Sequence, residues 1–320
     1  MTEDASQRRL AVVAPLFNDW GCVAPFLAGI AAAAADLPPV DVFLVDDGSI
    51  DARPADLACP PPIRSVTILR LGTNLGHQRA IATGLVELAQ RGEHEAVIVM
   101  DADGEDRPSD IPDLWRAHER YPQGIVVAQR RQRTEAIRFK VFYSFYKLLF
   151  RILTGRGLDF GNFSLVPAPV LSRLVLMSEL WNHYPATLMR SRVPIERVPL
   201  DRGHRYMGRS RMNFTSLVNH GLAGISAFID TAFARLLAIS MSVMAVLAAI
   251  FLGAVIVRLV THVPIPGWLA LGTTVAMIGL FQIVAALIVL SFLTLSSRSA
   301  PSPPPTKTAP DYLAERERID

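Results

Sequence analysis

The 320-residue chain is poor in cysteine and lysine, and both shortages narrow the classes of protein that it fits. Its two cysteines, Cys22 and Cys59, lie at no metal-ligand spacing and are too few for the disulfide framework of a small secreted protein. Lysine occurs only at Lys140, Lys147 and Lys307, so arginine carries nearly all of the positive charge, and the formal net charge is only +3. This balance gives little support to nucleic-acid binding, and we expect no nucleic-acid partner.

The N-terminal segment also lacks the pattern of a secretion signal. Residues 1–9, MTEDASQRR, are polar and include acidic residues where a signal peptide has a basic stretch followed by an apolar run. We therefore expect these residues to be disordered and the domain after them to stay in the cytoplasm.

What the chain does have is long uncharged runs in its last third. The runs Leu236 to Val257 and Trp268 to Leu295 contain no acidic or basic residue, and each is long enough as a helix to cross a hydrocarbon layer. They predict transmembrane helices at 232–260 and 267–296, joined by the turn THVPIPG. An amphipathic juxtamembrane helix is expected at 213–231, just before the first span.

The flanking charges predict the orientation of this hairpin. Arg235 and Arg298 lie at the two outer ends, which places both ends of the hairpin on the cytoplasmic side of a multi-pass protein. Gln282 is costly when it faces lipid, so we expect it to face the other helix or a second subunit of a homo-oligomer. Residues 297–320 are rich in proline and charge, and this composition predicts a disordered cytoplasmic tail.

An aromatic stripe with basic edges lies between Phe139 and Leu153 at helical spacing. Such a helix suits either the membrane interface, with lipid as its partner, or packing on a sheet, and both interpretations stay open.

Five apolar, β-branched segments alternate with helical patterns over the first 130 residues. The strand segments are RLAVVAPLF, VDVFLVDD, SVTILRL, EAVIVMDAD and GIVVAQR. The helices are predicted at residues 24–35, 77–90 and 108–120. This alternation is typical of a parallel α/β sheet, in which ligands bind beyond the carboxyl ends of the strands.

Acidic clusters follow two of the predicted strands. Asp46 and Asp47 end the second strand, and Asp101, Asp103 and Glu105 follow the fourth. Residues two apart on an extended segment point to the same side, so the last three carboxylates are expected to converge. Carboxylates suit Mg²⁺ or Mn²⁺, with substrate phosphates completing the shell. The alternative is that these residues only form solvated turns.

The successive motifs PLFND, VDDGS, NLGHQRAIATGL and DADGEDRPSDIPDL resemble those of family 2 glycosyltransferases. The resemblance covers roughly residues 10–230 and is closest to dolichol-phosphate-mannose-synthase-like and bacterial polyprenyl-phosphate glycosyltransferases. It implies an α/β fold of the GT-A, or nucleotide-diphospho-sugar transferase, type over residues 10–212, with a mainly parallel sheet.

The resemblance also implies three sets of site residues. Those expected to bind the donor nucleotide are Pro15, Phe17, Asp19, Asp46, Asp47, Asn74, Gly76, His77 and Asp101. Those expected to bind Mg²⁺ or Mn²⁺ are Asp101, Asp103 and Glu105. Those expected to be catalytic are Asp103, Arg130, Arg205 and Arg209. Glu105 stands where related enzymes usually have glutamine, which keeps an oxygen ligand and adds charge.

The segment DFGNFSLVPAPVL resembles a later family motif that supplies a carboxylate near the acceptor, but this chain has Asn162 at that position. A hydroxyl acceptor needs a general base, whereas a phosphate acceptor is already an anion, so this change favours a phosphate acceptor. The arginines of residues 201–214, DRGHRYMGRSRMNF, suit phosphate oxygens. The alternative for these arginines is contact with anionic lipid headgroups.

The predicted function is therefore an inverting glycosyltransferase of the cytoplasmic membrane. It would move a hexose-type sugar from a UDP- or GDP-linked donor to a polyprenyl phosphate at the cytoplasmic face. The alternatives are transfer to a lipid-linked or other hydroxyl acceptor, and a non-catalytic membrane scaffold that keeps a sugar-nucleotide fold.

Overall fold

The structure is a computed structural model, and it describes residues 9–130, 137–207, 214–261, 266–299 and 303–319. The chain divides into two compact units. The first unit consists of Met1–Tyr143, Leu158–Ala227 and Pro303–Asp320. The second unit consists of Ser144–Gly157 and Phe228–Ser302.

An eight-stranded sheet forms the centre of the first unit. Its strands are β1 (Leu10–Leu16), β2 (Val40–Asp46), β3 (Ser65–Leu71), β4 (Ala96–Val99), β5 (Ile125–Arg130), β6 (Ser164–Pro167), β7 (Ile195–Leu200) and β8 (Leu313–Ile319). Their order in the sheet is β7-β5-β6-β4-β1-β2-β3-β8. The five strands predicted from apolar segments are β1 to β5, so these predictions are confirmed.

The middle of the sheet is parallel. β1 pairs in parallel with both β2 and β4, and β2 pairs in parallel with β3. Every residue of β1, β2 and β4 is buried, as expected for strands covered by helices on both faces. The carboxyl ends of these strands therefore lie side by side along one edge of the sheet.

Helices connect and cover the strands. The helices of the first unit include α1 (Val23–Ala33), α2 (His77–Arg91), α3 (Ile111–Arg120), α5 (Ala168–Leu174), α6 (Tyr184–Arg190), α7 (Phe214–Ser226) and α10 (Pro305–Tyr312). The first three agree with the helices predicted at 24–35, 77–90 and 108–120. α4 (Ile137–Thr154) begins in the first unit and ends in the second.

The C-terminal tail is ordered, which corrects the prediction of disorder over residues 297–320. β8 pairs antiparallel with β3, and α10 precedes it. Without this pairing, β3 would present a row of unpaired backbone N–H and C=O groups at the sheet edge. The prediction of disorder rested on the proline and charge content of the tail. Its segment AERERI nevertheless forms a strand whose side chains alternate between two faces, and Arg316 binds Glu87 of α2 at 2.9 Å.

The second unit contains α8 (Ile229–Thr261) and α9 (Gly267–Ser299), which pack against each other. In the described part of the chain, these are the two helices long and apolar enough to cross a membrane. Both begin or end a few residues beyond the predicted spans, and α9 extends into the expected tail. The juxtamembrane helix predicted at 213–231 is α7, and α8 is a separate helix after it.

The end of α4 packs within the second unit, where the buried Phe150 ring meets the Phe228 ring edge-on at 6.0 Å. Arg235 donates from Nη1 to the Ile152 carbonyl oxygen at 3.1 Å. This part of the aromatic stripe thus contacts the chain at the start of α8, whereas the side chains of residues 137–145 lie outside the described residues.

We predict that Gly84→Ala destabilises the chain. A Cβ atom at this position of α2 would lie 2.8 Å from methyl carbons of both Val13 and Val45. Overpacking of this kind costs about 1–3 kcal/mol, which exceeds the ~1 kcal/mol helix preference of alanine over glycine. The midpoint of thermal unfolding in detergent is therefore expected to fall.

The matched control is Gly253→Ala in α8, where an added Cβ atom meets no atom within 4 Å. Its unfolding midpoint should equal or exceed that of the wild type. An unchanged midpoint in Gly84→Ala would contradict the close packing of α2 on β1 and β2.

Candidate active site

Loops at the carboxyl ends of β1 and β2 form the first wall of the site. Asp46 is buried at the end of β2, and its Oδ1 accepts a hydrogen bond from the Ser49 backbone N–H at 2.9 Å. Ser49 Oγ in turn accepts from the Asn18 backbone N–H at 2.8 Å. Arg70 Nε lies 3.8 Å from Asp46 Oδ2. The loops after β1 and β2 are thus tied together around the buried Asp46 carboxylate.

Asp47 binds the loop that precedes α2. Its two carboxylate oxygens accept from the Leu75 backbone N–H at 2.7 Å and from the Gly76 backbone N–H at 2.9 Å. Burial raises the pKa of Asp47, although these two N–H donors act in the opposite direction. Gly48 beside it has φ +70°, and a Cβ atom there would lie 2.8 Å from the carbonyl carbon of Thr73. Asp47 thus positions the loop before α2, and its binding of the nucleotide stays a prediction.

His77 begins α2 and faces the loop after β4. Its Nε2 lies 3.2 Å from Asp101 Oδ1 and 2.9 Å from the side-chain nitrogen of Asn162. Burial lowers the pKa of His77, but the carboxylates of Asp101 and Asp103 outweigh this effect and raise the pKa above its ordinary value. Asn162 also accepts from Gln78 Nε2 at 3.3 Å. The predicted acceptor-side residue Asn162 is thus brought to the N-terminus of α2.

The loop of residues 201–207 lies over the acidic loop that follows β4. Arg205 Nη2 lies 3.1 Å from Asp103 Oδ2 and 3.8 Å from Asp19 Oδ2. Arg202 forms an ion pair with Glu105. The structure therefore brings together Asp19, Asp103 and Arg205, three residues that the sequence assigned to one site.

The predicted convergence of Asp101, Asp103 and Glu105 does not occur. Within the residues that the structure describes, no group of three or more histidine, cysteine, aspartate or glutamate side chains is placed to hold a metal ion. Glu105 is directed to Arg202 instead, because the loop of residues 201–207 supplies a cation at that point.

Asp101 and Asp103 nevertheless fit a divalent cation. Burial raises the pKa of Asp103, and the neighbouring Asp101 carboxylate raises it further. A bound cation would relieve this repulsion, and Mg²⁺ commonly binds through one or two carboxylates with phosphate oxygens completing its shell. These two residues would hold the metal, without Glu105.

The remaining predicted residues are placed as follows. Pro15 is buried in β1 opposite Val45, and Phe17 follows at the strand end. Asn74 is exposed in the loop before α2. Arg130 is the last residue of β5, but its side chain lies outside the described residues.

Arg209 also lies outside the described residues. It belongs to residues 208–213, so the prediction that it is catalytic stays a prediction.

Asn18, which was not among the predicted site residues, holds the loop after β2. Its backbone has φ 51°, and its Oδ1 accepts from the backbone N–H groups of Ile50 at 2.8 Å and Asp51 at 3.1 Å. Asparagine tolerates this left-handed conformation and often forms hydrogen bonds to nearby backbone groups. An asparagine just after a strand could therefore have predicted this role.

A buried polar layer supports the side of the site around Asn162. The Tyr184 backbone N–H donates to Gln78 Oε1 at 2.6 Å. His183 is fully buried, its Nδ1 accepts from the Ala186 backbone N–H at 3.1 Å, and its ring lies 4.5 Å from the ring of His220 in α7. Burial lowers the pKa of His183 to about 3.

Residues 11–176 match the family model described as Glycosyl transferase family 2, which covers just over half of the chain. The chain belongs to this family. The predicted family and its GT-A-type fold are confirmed, and so is the prediction that the protein is a glycosyltransferase enzyme.

Three relatives of this glycosyltransferase illustrate its similarity to curated proteins. An uncharacterized glycosyltransferase of Synechocystis sp. is 26% identical over 307 residues, covering 89% of each chain. A dodecaprenyl-phosphate galacturonate synthase of Rhizobium johnstonii is 27% identical, covering 55% of this chain and 53% of that protein. An undecaprenyl-phosphate 4-deoxy-4-formamido-L-arabinose transferase of Pectobacterium carotovorum is 26% identical, covering 66% of this chain and 65% of that protein.

We predict that acid destabilises the enzyme through His183. The pKa of this residue is near 6.5 in an unfolded chain and about 3 in the folded one, so the unfolded state binds the proton first as the pH falls. The free energy of unfolding is therefore at its full value above pH ~6.5 and falls as the pH is lowered toward 3, with about 2 kcal/mol lost by pH 5.

The test compares thermal unfolding of the wild type and His183→Asn at pH 7 and pH 5. Asparagine can keep the N-cap bond to Ala186 but does not titrate. The wild type should lose more stability between the two pH values than the variant. Equal losses would show that His183 is not held neutral.

Proposed function

We propose that the protein is an inverting glycosyltransferase that moves a hexose-type sugar from a nucleoside diphosphate sugar to a polyprenyl phosphate. The observation that carries the proposal is the contact of Arg205 with Asp103. It places a guanidinium, suited to phosphate oxygens, at the carboxylate expected to hold the donor's metal ion.

The donor side is assigned to the loops after β1, β2 and β4. Asp46 would contact the base or ribose, and Asp101 and Asp103 would hold Mg²⁺ or Mn²⁺. When bound, the metal supplies positive charge that stabilises the departing nucleoside diphosphate. Arg205 would add a second positive charge to the same phosphates or to those of the acceptor.

The acceptor is assigned from the position beside His77 where the family motif supplies a carboxylate that could act as a general base, because this chain has Asn162 there. Asn162 has no ionisable group, and Asp159, three residues earlier, is bound by Gln129 at 2.7 Å and by Arg197 at 3.1 Å. A hydroxyl acceptor would need such a base, but a phosphate monoester is already an anion. The names of the Rhizobium and Pectobacterium relatives, which refer to polyprenyl phosphates, support the same acceptor class.

The proposed reaction is a single displacement. A phosphate oxygen of the acceptor attacks the anomeric carbon while the bond from that carbon to the diphosphate oxygen breaks. The configuration inverts, and the products are a polyprenyl-phosphate sugar and a nucleoside diphosphate. Arg202 and Arg205 would orient the attacking phosphate, and positioning of this kind supplies much of the rate in such reactions.

The membrane part of the proposal assigns α8 and α9 to a transmembrane hairpin with the catalytic unit on the cytoplasmic side. Their length and apolar composition support the two spans, and the positions of Arg235 and Arg298 in the sequence support the orientation. A lipid acceptor requires an active site near the membrane.

The decisive test is a transfer assay with UDP- and GDP-linked radiolabelled sugars, undecaprenyl phosphate and Mg²⁺ or Mn²⁺ in detergent. The wild type should form a mild-acid-labile glycolipid with one of the donors. Asp103→Asn should lower its formation roughly 100-fold or more, since it removes a metal-binding charge.

Asp113→Asn is the matched control, because Asp113 is an exposed carboxylate of α3 that pairs with Arg116. It should retain wild-type activity. Product formed only with hydroxyl acceptors would overturn the proposed acceptor, and no transfer from any donor by folded enzyme would overturn the proposed reaction.

A further inference from the structure

The C-terminal strand lies beside the loops assigned to the donor nucleotide. β8 runs antiparallel along β3, and Glu315 is the residue directly opposite Arg70 in this pairing. Arg70 lies near the carboxyl end of β3, where its Nε is 3.8 Å from Asp46 Oδ2. A residue from the end of the chain is thus brought to the edge of the sheet at which the site lies.

Side chains alternate along β8, so its two faces bind different parts of the first unit. On one face, Arg316 Nη2 lies 2.9 Å from Glu87 Oε2 in α2. On the other face, Glu317 Oε1 accepts from Arg53 Nη2 at 2.9 Å, and Arg53 lies in the chain that follows β2. Glu315 shares the face of Glu317. These ion pairs hold β8 from both sides and direct Glu315 toward the loop after β2.

A cleft of about 300 Å³ opens on this face. Its lining includes Trp20, Asp46, Arg70, Glu315 and Glu317. Arg70 and Glu315 also line a neighbouring cleft together with Gly48, Ser49 and Asn74. The first volume is at the lower end of the range for small-molecule sites. Two charged side chains of opposite sign therefore stand between two adjoining clefts at the predicted nucleotide-binding loops.

The hydrogen-bonding groups of Glu315 and Arg70 together match one particular edge of a nucleobase. A carboxylate only accepts hydrogen bonds, and a guanidinium only donates them. Uracil and guanine each present a ring N–H next to a carbonyl oxygen, so a carboxylate and a guanidinium match that edge together. Cytosine and adenine have no ring N–H at the equivalent position, and a carboxylate would meet an acceptor there.

We propose that β8 is part of the donor site, and that Glu315 and Arg70 read the N–H and carbonyl edge of a uracil or guanine base. This inference rests on the proposed function, because it takes the clefts beside Asp46 to hold a nucleoside diphosphate. Glu315 is a specificity-determining residue in this account. The C-terminal tail then acts as a part of the catalytic unit rather than as a linker.

The experiment measures binding of UDP, GDP, CDP and ADP to the full chain in detergent with Mg²⁺, by isothermal titration calorimetry. The wild type should bind either UDP or GDP more tightly than CDP and ADP. Glu315→Ala should weaken binding of the preferred nucleotide roughly tenfold or more, the effect of losing a hydrogen bond to a charged group. Binding of CDP and ADP should not weaken, so the preference should shrink.

Glu315→Gln preserves the size of the side chain and should also reduce the preference, because it removes the carboxylate without disturbing the strand. Glu119→Ala is the matched control, since Glu119 is exposed on α3. It should bind like the wild type. Unfolding midpoints equal to the wild type's would confirm that the variants fold.

The outcomes separate the two proposals. If the wild type binds a nucleotide and transfers sugar but both Glu315 variants keep its affinity and preference, the role of β8 is overturned and the proposed function stands. If the wild type transfers no sugar and binds no nucleoside diphosphate, both proposals are overturned.

Discussion

Parallel pairing of β1 with β2 on one side and β4 on the other is the constraint on which the site depends. Strands that run in the same direction end at the same edge, so segments far apart in sequence deliver their polar side chains to one place. The register puts Leu16 opposite Asp46, and β4 continues into the loop of Asp101 and Asp103. Because these strands are buried on both faces, their polar side chains lie mainly at the strand ends.

Much of the polar chemistry at this edge serves to hold the loops. Asp47 and Asn18 use their side-chain oxygens to bind backbone N–H groups, and Ser49 joins the loops after β1 and β2. Backbone groups that are not paired in strands or helices need such partners. The charged groups at the strand ends are thus held in position by loops that these side chains tie together.

In the acidic loop after β4, three carboxylates each face a different basic side chain. Arg205 lies against Asp103, Arg202 pairs with Glu105, and His77 faces Asp101. Each pairing reduces the electrostatic repulsion among the clustered carboxylates. The pairing also explains why three acidic residues at alternate positions do not form one three-carboxylate set.

The sequence by itself determined the family, the central strands, the helices between them and the two apolar helices, because these depend on local motifs and on the spacing of apolar residues. It also located Asp103 and Arg205 in one site through motif order. Only the tertiary structure decided that Asp47 binds backbone, that Glu105 pairs with Arg202, and that the tail becomes β8 on the edge of β3. Each of these outcomes depends on a contact between distant segments, and neither composition nor periodicity specifies which distant group will fill an unpaired edge or neutralise a charge.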